Sequence, residues 1–328
     1  MPGARSRGLR VVAHSASVVL ISLLLASPLE AYTVYVTNQG ESTLSIIDGG
    51  AKRVLRTVKL SHAEPYHAVL AEGNARLYIA HGGSGSVAIF DTASETEVAV
   101  IPTDGCPHGI ALSPDGRQLW AAHAKADTVS VVDLAARKVV RTVRAGGRPL
   151  GVVFTLDGRK AYVANGGTAD VYVIDTASGT VAKRLMASKG FLGMALTPDG
   201  KELWVTEDAG GVVSVIDTAE DESVAEIPVG TGARGIAISP DGRTAYVAVR
   251  EERLVAVVDV RGRRVIARIA VSAPPDGASL SPDGRELWLA SPRAQAVEVL
   301  DTATRAPVAT IRVGTTARPD PHGLVISE

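Results

Sequence analysis

Residues 109–133, GIALSPDGRQLWAAHAKADTVSVVD, decide the fold. Gly109–Ser113 alternates apolar and small side chains, the period-2 pattern of a strand. Pro114-Asp115-Gly116 then makes a hairpin turn, with glycine where the backbone needs a positive φ. Gln118–His123 and Thr128–Asp133 read as the next two strands, and Lys138–Val143 as a fourth. The same unit recurs on both sides of this stretch. Asp-Gly turns fall at Asp115, Asp157, Asp199, Asp241 and Asp283, each 42 residues after the last. A second aspartate closes the third strand of each copy, at Asp48, Asp91, Asp133, Asp175, Asp217, Asp259 and Asp301. Seven copies of a four-strand unit specify an all-β, seven-bladed β-propeller with four-stranded antiparallel blades.

The ends of the repeat array fit each other. Tyr32–Asn38 matches a second strand, and His322–Ser327 matches a first strand. The C-terminal segment is therefore expected to pair into the N-terminal blade as its innermost strand, closing the ring and removing two free edges. The propeller occupies residues 32–328. Residues 1–31 read as a signal peptide. Arg5, Arg7 and Arg10 precede the apolar run Val11–Ala26, and cleavage is expected after Ala31. The reading implies a periplasmic or otherwise exported protein with no stable membrane span after cleavage.

Composition narrows the function. The formal net charge is −1, so no basic surplus exists to hold a polyanion, and nucleic acid is disfavoured as the main partner. Cys106 is the only cysteine, which excludes an internal disulfide. No long apolar loop marks an obligate interface, so a monomer is expected.

Tyr35-Val36-Thr37-Asn38 resembles the signature of the YVTN-repeat β-propeller family. Variants recur as Tyr162-Val163-Ala164-Asn165, Trp204-Val205-Thr206-Glu207 and Tyr246-Val247-Ala248-Val249. The resemblance spans residues 32–328 and implies an exported seven-bladed propeller. The chain also looks like the subset that accompanies quinone- and haem-dependent periplasmic oxidation systems. It implies no shared reaction.

Most repeated features read as structural. The aromatic residues Tyr35, Tyr78, Trp120, Tyr162, Trp204, Tyr246 and Trp288 occupy one position per blade, which suits packing with the polar atom bonded. The seven strand-closing aspartates read as Asx turns. Gly230-Thr231-Gly232-Ala233-Arg234-Gly235 spells a dinucleotide fingerprint, yet a strand follows it where the motif needs a helix N-terminus. No Cys-x-x-Cys-His, nucleophile elbow or P-loop occurs.

The histidines break the repeat. His67, His108 and His322 open the innermost strands of blades 2, 3 and 1. His81 and His123 end the second strands of blades 2 and 3, where the signature has asparagine. His62 lies in the loop before His67. Around the ring the first-strand positions run His322, His67, His108, Leu150, Leu192, Arg234, Asp276. The second-strand positions run Asn38, His81, His123, Asn165, Glu207, Val249, Ser291. Antiparallel alternation puts both sets on one face. Five histidines are thus expected at one sector of the channel mouth, with Cys106 nearby.

Neutral imidazoles suit a transition metal (copper, zinc or iron) or a non-covalent haem. His67, His81, His108, His123 and His322 are the candidate ligands. Arg148, Lys189, Arg234 and Arg318 lie in other loops of that face and suit an anion or a partner's carboxylates. Three functions are compatible with this pattern. One is a binding or accessory protein that serves a periplasmic protein or redox partner. Another is a metal-dependent redox or hydrolytic enzyme with Glu207 or Asp276 as base. The third is an interaction scaffold that holds no ligand.

Overall fold

The computed structural model describes residues 32–103, 105–187, 190, 193–316 and 318–327. The signal-peptide segment, Lys189 and Leu192 lie outside these residues. Seven four-stranded antiparallel sheets follow one another along the chain, and six of them use four consecutive strands. The seventh joins Pro321–Ile326 to Thr33–Asn38, Thr43–Asp48 and Arg53–Lys59, in that order. Closure by the C-terminal strand is therefore as the repeat requires. Its register pairs Val34 with Ile326, Tyr35 with Val325 and Val36 with Leu324.

Each blade is apolar on both faces, so the cores lie between blades. Trp288, Val297 and Val299 of blade 7 pack with Val34, Val36 and Ile47 of blade 1, and Leu324 and Ile326 lean on the same cluster. The aspartates do what short acidic side chains do in turns. Asp48, Asp91, Asp133, Asp175, Asp217, Asp259 and Asp301 each accept a backbone N–H from three residues ahead. The Asp-Gly turns use a second device. Asp115 accepts from Ser113 Oγ at 2.6 Å and from the Arg117 N–H at 3.1 Å, and Gly116 sits at φ 68°.

The innermost strands crowd the axis, and this fixes the residue beside each channel position. Six of the seven are glycine: Gly109, Gly151, Gly193, Gly235, Gly277 and Gly323. A Cβ at Gly109 would overlap the Leu150 carbonyl oxygen, and one at Gly323 would overlap that of Tyr66. At Gly235 the nearest atom, the Asp276 carbonyl oxygen, would stand 2.6 Å away. Neighbouring blades thus approach backbone to backbone, and this brings the preceding side chains together around the channel. Gly109→Ala is expected to cost about 2 kcal/mol, because backbone cannot yield as a side-chain tip can. Urea unfolding of the variant checks this, and an unchanged midpoint would contradict it.

Candidate functional site

Three of the five sequence-identified histidines meet. The ring centres of His67 and His108 are 5.2 Å apart, those of His108 and His322 5.3 Å, and those of His67 and His322 5.7 Å. Each ring comes from the start of an innermost strand: His67 is the third residue of Pro65–Ala71, and His108 and His322 are the second residues of Pro107–Leu112 and Pro321–Ile326. Tyr66 closes one side of this triangle. Its ring lies 4.6 Å from that of His108 and 5.2 Å from that of His322, and its hydroxyl accepts from Gln39 Nε2.

One ring of the triad has its Nδ1 hydrogen-bonded, and a second has a carboxylate nearby. His108 Nδ1 lies 3.1 Å from the Leu150 carbonyl oxygen, which can only accept, so this nitrogen carries the proton. His322 Nδ1 lies 3.9 Å from Asp276 Oδ2. A carbonyl partner such as that of His108 orients imidazoles that ligate metals through the other nitrogen. Asp276 is itself held by Arg234 at 3.1 Å and Arg250 at 3.4 Å, and Arg234 also meets Asp208 at 3.1 Å. The ring of first-strand positions is therefore one connected polar arc from His108 through His67, His322 and Asp276 to Arg234.

The arc keeps its imidazoles neutral. Burial lowers the His67 pKa, opposed by the charge of Asp276. Burial also pushes His108 well below the usual histidine range, helped by His67 and His322. His322 falls to about 3, through burial and then through His67, Arg234 and Arg250. A cavity of about 170 Å³ runs along the axis beside His67, His322 and Asp276, with Gly193, Gly235 and Gly277 in its wall.

The other two histidines do not join the triad. His81 and His123 are wholly buried and turn into their own blades. His123 Nε2 lies 2.8 Å from Ser130 Oγ, which donates to the Thr103 carbonyl. His81 faces Glu97 and stacks at 5.7 Å from His62. Their counterparts behave alike. Asn38 Nδ2 donates to Thr43 Oγ1 and Ser45 Oγ, Asn165 Nδ2 donates to Asp170, and Glu207 accepts from Ser214 Oγ. In blades 1, 3, 4 and 5 the fourth residue of the signature is thus a clamp onto the third strand. Glu207 is likewise inside its blade, so the expectation of a base there is replaced by Asp276 alone.

Of the cationic candidates, Arg234 faces the channel in its two ion pairs, while Arg318 is exposed. Arg148 donates its backbone N–H to Asp127 and adds positive charge near His108. Cys106 is buried, and burial raises its thiol pKa. Among the described residues, no three His, Cys, Asp or Glu groups already stand with their donor atoms in coordination geometry. The sequence reading missed Tyr66 and Glu97. Glu97 was detectable, because the matching residues of four other blades are Val54, Val139, Val181 and Val265.

Fold and repeat together define a seven-bladed β-propeller. Residues 30–161 match the family model described as YNCE-like beta-propeller. Solved structures agree on the architecture. Hydrazine synthase of Kuenenia stuttgartiensis matches with 24% identity and a TM-score of 0.75, over 83% of this chain and 92% of that one. The periplasmic gluconolactonase of Pseudomonas aeruginosa matches with 19% identity and a TM-score of 0.75, over 91% and 99%. A functionally unknown protein of Desulfotomaculum acetoxidans matches with 13% identity and a TM-score of 0.77, over 90% and 98%. These likenesses establish the fold alone. No curated protein matches the chain.

Proposed function

We propose that the protein is an exported binding propeller that holds one transition-metal ion between His67, His108 and His322 at the channel. The observation that carries the reading is the spacing of the three rings. A nitrogen bound at about 2.0 Å puts its ring centre about 3.2 Å from the ion, so two rings at a tetrahedral angle stand about 5.2 Å apart. The observed separations of 5.2, 5.3 and 5.7 Å are of that size. Binding requires the ring edges to turn toward one point, with the Leu150 carbonyl holding the far nitrogen of His108 and Asp276 placed near that of His322.

The lowered pKa values support the same reading, since only neutral imidazole binds metal. The cavity of about 170 Å³ has room for an ion and a few waters, at roughly 30 Å³ per water. That favours a bare ion over a haem. Three protein ligands leave a fourth position open. This is the feature an enzyme would use, and Asp276 is the carboxylate placed to assist. Export rests on the reading of residues 1–31, and among the described residues no helix is long and apolar enough to cross a membrane.

The reading is tested by metal titration of tag-free protein. Wild type should bind copper, zinc or iron at this site with affinity reduced at least about a hundredfold by His108→Ala, a loss at or beyond that of a supporting partner. Equal affinity in wild type and variant would refute it.

A further inference from the structure

The pair His81 and Glu97 is not explained by the channel. His81 is wholly buried, and neither of its ring nitrogens has a hydrogen-bond partner. Glu97 Oε1 is likewise buried without one. Yet His81 Nε2 and Glu97 Oε1 face each other at 3.4 Å. Polar atoms left without hydrogen bonds inside a protein are costly. Donor atoms at about 2.0 Å from a tetrahedral ion stand about 3.3 Å apart, which is the separation seen.

The repeat shows that the pairing is particular to blade 2. In blades 1, 3 and 5 the residue seven places after the signature's last position is Ser45, Ser130 or Ser214, and it bonds to that position. Blade 2 has Ala88 there, so His81 has no hydroxyl to meet. Glu97 stands where four other blades carry valine. A third donor is adjacent. His62 has its ring centre 5.7 Å from that of His81, and its Nδ1 is held at 2.6 Å by Ser61 Oγ. Glu97 Oε2 is fixed by the Ser61 backbone N–H at 2.6 Å. One short loop therefore orients both outer donors.

We propose that His81 Nε2, Glu97 Oε1 and His62 Nε2 form a second site, for a borderline divalent cation such as zinc or cobalt, between blades 1 and 2. Two donors already face one another, and a rotation of the part-exposed His62 side chain, which exchanges its bond to Ser61 Oγ for the ion, supplies the third. Two imidazoles and a carboxylate favour zinc or cobalt over calcium or magnesium, which take oxygen ligands. The site is independent of the channel triad.

The test uses the full propeller with His67, His108 and His322 changed to alanine, titrated with Co²⁺ and read by its visible absorption. The expected result is one equivalent bound, with affinity lowered at least about a hundredfold by Glu97→Gln, beyond the usual effect of a supporting partner. His62→Ala, at a part-exposed position, should weaken binding similarly without threatening the fold. No bound Co²⁺, or binding unchanged by both variants, would overturn the proposal. A nitrogen NMR spectrum showing His81 as an imidazolium unaffected by Co²⁺ or Zn²⁺ would also overturn it, leaving a buried ion pair.

Discussion

Removing residues 321–328 is expected to abolish cooperative folding of the propeller. The segment supplies the innermost strand of blade 1, paired to Val34, Tyr35 and Val36. Leu324 and Ile326 pack on the core between blades 1 and 7, and Val325 on the core between blades 1 and 2. Burial of three such side chains contributes about 1.5–3 kcal/mol each at full burial, and these are partly buried. Full burial of the three would contribute about 4.5–9 kcal/mol, so even the partial burial here, with the strand pairing lost as well, is a large share of the about 5–15 kcal/mol by which a domain is typically stable. The deletion also leaves the inner edge of Thr33–Asn38 unpaired and breaks contacts beyond the strand, including the Gly323 N–H to Thr37 Oγ1 at 2.9 Å. Circular dichroism during urea unfolding should show no cooperative transition in the truncated protein. A transition near that of the full chain would mean that the ring is held by blade packing alone.

Acid is expected to destabilise the metal-free protein well above the carboxylate range. His322 titrates at about 3 when folded and near 6.5 when unfolded. Below pH 6.5 the unfolded chain therefore takes up a proton that the folded one refuses, and stability falls with pH until about 3. At 1.36 kcal/mol per unit, His322 alone removes about 2 kcal/mol by pH 5. His67 and His108 shift the same way and add to the slope. The groups facing His322 are His67, His108, Asp276, Arg234 and Arg250, and the two arginines keep their charge throughout. Glu97, brought to about 2 by His81 and Ser61 against the effect of burial, acts in the same direction, but only below its ordinary value near 4.5. The window from 6.5 to 5 therefore belongs to the histidines. Urea unfolding at pH 7.5 and pH 5 should show the loss in wild type and a smaller one in His322→Asn. Equal stability at both values would contradict neutral burial.

The fold was legible because symmetry made it so. Asp-Gly turns 42 residues apart leave little freedom, and the mismatched ends Tyr32–Asn38 and His322–Ser327 betray the closure. The innermost ring was legible for the same reason, since one position per blade must face the axis. The second ring was not. The last residue of the second strand sits on the same face of the ring, but its side chain has a choice between the axis and the third strand. Hydroxyls at Ser45, Ser130 and Ser214 decide that choice inward, and they lie seven residues away in sequence. Glu97 escaped notice because its contact with His81 crosses the blade rather than following the strand pairing.

The most direct measurement is the metal content of tag-free wild type and of the His67, His108 and His322 triple alanine variant, by inductively coupled plasma mass spectrometry after saturation with one ion and desalting. The variant is expected to hold one equivalent fewer than wild type. Equal content in both proteins, or wild type that retains no ion at all, would contradict it.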